Sequence, residues 1–140
     1  MPTVSTSFRL EESVKQRMAD HARTLGVTTT ALLEQLIVEG LVAAEFPGII
    51  YRGPFGARRA GLAAGPDVWE IVARIRELPG TEDERIAILI EESPLHAHQI
   101  RLALDFASHH PDEVRERIEL NRAATAAALQ AAEQRGEFLA

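Results

Sequence analysis

The chain has no cysteine. That excludes a disulfide framework and all thiolate chemistry. Long apolar runs are also missing: no stretch approaches the roughly 20 residues that a membrane span needs. The opening Met1-Pro2-Thr3-Val4 lacks the basic-then-apolar pattern of a signal peptide. A cytoplasmic protein without membrane attachment is the expectation. A basic excess is absent too, since the formal net charge is −6. Residues 1–45 net −2, residues 46–80 net +2, residues 81–110 net −4 and residues 111–140 net −2. No segment is a broad electrostatic footprint for nucleic acid. DNA affinity would have to rest on a few local donors, and the acidic second half should repel DNA and suit a basic protein partner.

Catalytic patterns are equally scarce. No serine has a histidine at a recognisable motif spacing. Runs such as Glu82-Asp83-Glu84 fit helix starts and solvated faces better than acid/base pairs. The glycines at 53, 56, 61 and 65 are not followed by Gly-Lys-Ser/Thr, and their spacing fits neither nucleotide fingerprint. His96 and His98 stand at i and i+2, which on a helix point about 200° apart and cannot share a metal. The expectations are no enzyme, no cofactor, no metal, and exposed histidines able to make binding sensitive to pH.

What is present is concentrated in the first 45 residues. Val4-Ser5-Thr6-Ser7-Phe8-Arg9-Leu10 alternates as a strand does. Ser5, Ser7 and Arg9 fall on one face, and Thr6, Phe8 and Leu10 on the other. Two amphipathic patterns follow. Glu12–Leu25 places Val14, Met18, Ala22 and Leu25 at helical spacing, with Glu11 and Glu12 at the dipole-favoured start and Gly26 as C-cap. Thr28–Ala44 carries Leu32, Leu33, Leu36, Ile37 and Leu41 as a broad apolar stripe. About 45 residues are too few to bury a core alone. A lone strand also leaves its backbone groups unpaired. Pairing with a symmetry mate would answer both needs and build a two-stranded ribbon that fits the major groove.

Ser5-Thr6-Ser7-Phe8-Arg9-Leu10-Glu11-Glu12, a helix, Gly26-Val27-Thr28-Thr29-Thr30 and a second helix together resemble the ribbon–helix–helix family of dimeric DNA-binding proteins. The resemblance covers less than a third of the chain. It implies that Ser5, Ser7 and Arg9 read bases, and that Thr28, Thr29 and Thr30 hold a backbone phosphate. A helix N-terminus is an anion site and threonine a capping residue, so the chemistry agrees. Lys15 and Arg17 are further possible donors. Two serines stand where larger polar readers are common in the family. The alternative is a dimerisation module that never touches DNA, with the threonines acting only as a cap.

A boundary is expected at Glu45-Phe46-Pro47-Gly48. Beyond it, two short strands should flank Gly53-Pro54-Phe55-Gly56, with Arg58 and Arg59 pairing with carboxylates or a partner. Asp67 should cap a helix over Val68–Leu78 whose inward stripe is Trp69, Val72, Ile75 and Leu78. Thr81-Glu82-Asp83-Glu84 reads as a capping box for a helix carrying Ile86, Leu89 and Ile90 inward. A helix over His96–His109 should bury Ile100, Leu104 and Ala107, and Pro111 should start the last one, with Val114, Ile118 and Ala124 or Thr125 on its face.

The helix pair at 82–109 has the outline of a helix-turn-helix. With Pro47-Gly48-Ile49-Ile50 and the stretch from Gly53-Pro54 to Arg58-Arg59-Ala60, residues 47–122 resemble the DUF433-type domain of bacterial type II antitoxins. That resemblance implies a PIN-like ribonuclease toxin as partner. The turn is long and contains Pro94, and the second helix offers only Gln99 and Arg101 amid histidines. A toxin-binding or structural role therefore follows better than a second DNA reader. Residues 123–140 are an Ala-rich tail, either a continued helix or a frayed end, with Arg122 or Arg135 able to reach acidic metal ligands of a toxin.

The sequence thus predicts a mainly α chain with a short β-ribbon. A ribbon–helix–helix dimer (1–45) precedes a β-hairpin and helical domain (46–122). The expected function is a repressor of its own operon and the antitoxin of a toxin–antitoxin pair, binding operator DNA in the major groove as a homodimer or larger. A dimeric adaptor without DNA binding and a stand-alone ligand-sensing repressor are the other readings.

Overall fold

The computed structural model describes residues 2–140, and among them six helices and one two-stranded sheet. The fold is mainly helical. The chain divides into two compact units, one ending at Val42 and one spanning Ala43–Ala140.

In the first unit, residues 2–11 are exposed and carry neither helix nor strand. The alternating segment Val4–Leu10 is therefore not a strand within one chain, because no other described segment lies beside it to form a ladder. Helix α1 runs Glu12–Leu25 and ends at Gly26, whose left-handed φ of 69° lets the chain turn without a Cβ penalty. The Val27 amide then donates to the Ala22 carbonyl at 3.0 Å. Helix α2 runs Thr29–Glu45, bent 105° from α1. Thr28 caps it: its hydroxyl accepts from the Ala31 amide at 3.1 Å.

Only Ala22, Leu32 and Val42 are buried in this unit. The stripe expected on α2 divides: Leu32 is buried and Leu33 half-buried, but Leu36, Ile37 and Leu41 are 50%, 46% and 55% exposed. Three buried side chains cannot offset the entropy of ordering two helices.

The second unit has its own core. Strand β1 (Ile49–Arg52) pairs antiparallel with β2 (Arg59–Leu62) in the register Ile49 with Leu62 through Arg52 with Arg59. The hairpin spans the Gly53-Pro54-Phe55-Gly56 turn expected from the sequence. Four helices follow: α3 (Val68–Glu77), α4 (Glu82–Glu92), α5 (Ala97–His109) and α6 (Pro111–Leu139). Helix α3 is the hub, packing on β2, α4, α5 and α6. Phe106, Ile49, Ile100 and Val68 are the largest fully buried side chains.

Burial on two helices is displaced from the expected stripes. On α3 the buried residues are Val68, Ile71 and Ile75, with Leu78 just beyond, while Trp69 and Val72 are half-buried. On α5 they are Ile100, Ala103 and Phe106, while Leu104 and Ala107 are half-buried. Both helices face neighbours on more than one side, so the buried side follows from packing as well as periodicity. On α4, Ile90 is exposed, leaving Ile86 and Leu89 inward. On α6, Val114 and Ile118 are buried, but Ala124 and Thr125 are exposed. Residues 123–140 continue α6 to Leu139, with Leu129 and Phe138 63% and 88% exposed.

Capping follows the sequence closely. The Thr81 hydroxyl accepts from the Glu84 amide at 3.3 Å, and the Glu84 carboxylate accepts in return from the Thr81 amide at 3.4 Å. His96 is a cap residue and not the first turn of α5. Its ring therefore escapes the helical i, i+2 divergence and stacks on His98, centroids 5.7 Å apart. His110 is half-buried and stacked on Phe106 at 4.6 Å, not fully exposed as expected. No single described helix is long and apolar enough to cross a membrane.

Candidate nucleic-acid interface

Ser5, Ser7 and Arg9 lie in the exposed segment before α1, with no described hydrogen bond or ion pair holding their side chains to the chain. Glu11 at the α1 boundary is extended, with φ −58° and ψ 142°. The apolar members of the same alternation, Phe8 and Leu10, are 76% and 49% exposed. In one chain, then, both faces of the segment meet water.

Thr28, Thr29 and Thr30 are all exposed at the start of α2. The first supplies the cap, and its hydroxyl is engaged with the Ala31 amide. The first turn of α2 contains no acidic residue. The N-terminal partial positive charge of this helix is thus not offset by a carboxylate in the same turn, a favourable setting for an anion. Lys15 and Arg17 lie exposed on α1.

The second unit holds a polar cluster that sequence reasoning saw only in part. Asp67, expected as a helix cap, is 8% exposed and receives two arginines. Arg52 donates to its Oδ1 from Nε at 3.1 Å and from Nη2 at 2.9 Å. Arg59 donates to Oδ2 at 2.6 Å, and the Trp69 indole N–H approaches the same oxygen at 3.3 Å. Arg52 also donates to the carbonyls of Leu62 and Gly65, each at 3.0 Å. Burial pushes the Asp67 pKa up, but the Arg59 and Arg52 hydrogen bonds and charges outweigh it and hold the carboxyl below its ordinary value.

Arg59 thus pairs with a carboxylate, as anticipated. Arg58 donates to the carbonyls of Gly53 and Tyr51, bracing the hairpin. The role of Arg52 had no sequence signal, because its partners lie 10 to 15 residues away across a turn. Gly61 belongs to the same construction. A Cβ there would fall inside the Arg52 guanidinium, which passes over the strand. The guanidinium is held by four bonds, so it cannot yield cheaply. Gly61→Ala is expected to cost about 1–3 kcal/mol, as overpacking does, measured as a lowered thermal midpoint. An unchanged midpoint would show that Arg52 is free to move aside.

Arg74 closes on Glu92 through two bonds, tying α3 to α4. No buried side-chain nitrogen or oxygen among the described residues lacks a hydrogen-bond partner. The Asp67 cluster is therefore a satisfied strut joining hairpin to helix. Among the described residues, no group of three His, Asp or Glu side chains is placed to hold a metal. Among protein-family models, curated proteins and solved structures, none matches this chain.

Proposed function

We propose that this protein is a dimeric DNA-binding regulator of the ribbon–helix–helix kind. In this reading residues 4–10 of two chains pair into a ribbon. Ser5, Ser7 and Arg9 enter the major groove, and Thr28, Thr29 and Thr30 at the start of α2 meet a backbone phosphate. The observation that carries the reading is the first unit's unfinished state. It pairs an exposed alternating segment with a helix whose Leu36, Ile37 and Leu41 lie open to water, and it has almost no core of its own. A second copy would cover the apolar face and supply the missing ladder partner together.

The biological role proposed is the antitoxin of a type II pair, repressing its own operon and binding a PIN-like ribonuclease toxin through residues 46–140. No catalysis, cofactor or metal enters this role. It rests on the resemblance of residues 47–122 to the DUF433-type domain, and the exposed second half of α6 is a surface available to such a partner.

The test is fluorescence anisotropy on the DNA upstream of the protein's own gene, at two salt concentrations. Arg9→Ala should weaken binding by about 1–3 kcal/mol and relax selectivity where the guanidinium meets a guanine. Thr28→Ala with Thr30→Ala should weaken binding evenly across sequences. Wild-type affinity in both variants would dismiss the ribbon model. A well-folded dimer with no salt-dependent affinity would favour an adaptor that only dimerises, and DNA binding altered by a small molecule would favour a ligand-sensing repressor.

A further inference from the structure

Helix α3, the end of α5 and the start of α6 bound a concavity of about 450 Å³. Its floor is apolar. Val72 of α3, Ala107 of α5, and Pro111, Val114 and Ile118 of α6 line it, the last two buried. Arginines stand on two of its walls. Arg76 lies one turn beyond Val72 on α3, and Arg115 lies one turn before Ile118 on α6. Among the described residues no carboxylate lines this concavity. Those elsewhere along α3 and α6 differ, since they take in Glu113, Asp67 with Glu70, or Glu77. Arg76 has no carboxylate partner among the described residues. Arg115 reaches Asp112 only at 4.0 Å, and both side chains are largely exposed, so water screens that pair. The Ser108 hydroxyl at the rim is engaged, donating to the Asp105 carbonyl at 2.8 Å.

The structure assigns to this concavity a small-molecule site for an apolar carboxylate, a compact acyl or aromatic body carrying one anionic group. The body lies on Val72, Val114 and Ile118, and the carboxylate meets Arg76 and Arg115. Helices α3 and α6 are packed together. Packed helices lie about 8–10 Å apart, so long guanidinium side chains from the two can close on one anion. Arginine's planar fork suits carboxylate recognition. An apolar concavity of a few hundred Å³ with few polar groups at its mouth is the usual form of a small-ligand site. A nucleic-acid backbone fits less well. Its repeated phosphates would meet Asp112 and Glu113 in the first turn of α6, which a single carboxylate avoids. The concavity lies wholly in the second unit, so this inference stands apart from the DNA reading of the first.

The experiment titrates nitrogen-15-labelled full-length protein with octanoate and with naphthoate, and with the neutral primary amide of each, following backbone amide shifts. The expected result is saturable binding of at least one carboxylate with a Kd below about 1 mM. The shifts should centre on Val72, Arg76, Ala107, Ser108 and Arg115. Tighter octanoate binding would mark an acyl ligand, and tighter naphthoate binding an aromatic one. The matching amide should bind at least about tenfold more weakly, and the Arg76→Gln/Arg115→Gln variant should lose that preference. Both arginines are exposed, so the variant should keep its helical circular dichroism. The Ser5/Ser7/Arg9 triple alanine variant should bind as the wild type does, which separates this site from the DNA site. No saturation by either carboxylate at millimolar concentration, or equal affinity for acid and amide, overturns the proposal. So does unchanged affinity in the Arg76/Arg115 variant, or shifts centred elsewhere on the protein.

Discussion

Asp67→Asn is expected to destabilise the second unit by about 2–3 kcal/mol, seen as a lowered midpoint in urea or thermal unfolding. The change keeps the side chain's shape but removes the charge that faces both Arg52 and Arg59. Breaking a fully buried ion pair costs roughly 3–5 kcal/mol. The smaller figure follows because the two arginine side chains remain 32% and 33% exposed and regain some hydration. The loss should spread through the hairpin, since Arg52 also holds the Leu62 and Gly65 carbonyls between β2 and α3. The difference between wild type and variant should depend on pH in a definite direction. The folded Asp67 pKa lies below the ordinary 3.8. Its stabilising contribution is therefore complete above that ordinary value and is lost as pH falls through the lower, folded one. Wild type and Asp67→Asn should converge in stability at strongly acid pH, diverge as pH rises towards the ordinary carboxylate value of about 4, and differ by a constant amount above it. A difference independent of pH would mean that Asp67 acts by packing and not by charge.

On the proposed dimer, Leu36→Glu with Leu41→Glu is expected to give a monomer by sedimentation and to abolish DNA binding. The two leucines are 50% and 55% exposed in the single chain. Covering four half-exposed leucines in a symmetric pair contributes about 1 kcal/mol each, or roughly a thousandfold in the dimer equilibrium. The new carboxylates would face each other across the seam and add repulsion. The second unit should keep its own unfolding transition, because its core is separate. A variant that stays dimeric at micromolar concentration would place the dimer seam elsewhere and remove the main support for the ribbon reading.

Much of the local structure was legible because it is specified by neighbours in sequence. Gly26 ends α1, Thr28 caps α2, Thr81 and Glu84 box α4, and Pro111 opens α6, each through contacts within four residues. The hairpin around Gly53-Pro54-Phe55-Gly56 belongs to the same class. For the candidate DNA site, the residue types and their alternation were readable, but a single chain can neither pair nor cover them.

What only the tertiary structure decided is whatever depends on residues brought together from far apart. Periodicity gives a helix an apolar side but not the side that is buried when several neighbours surround it. Val68 and Ile71 therefore lie inside where Trp69 and Val72 were expected. The Arg52–Asp67–Arg59 strut and the glycine beneath it depend on strand register. Net charge summed along residues 111–140 is acidic, yet Arg117 and Arg122 stand on different sides of α6 and line different concavities beside α3. Composition averages around a helix, whereas a partner meets only one of its faces, and packing chooses which.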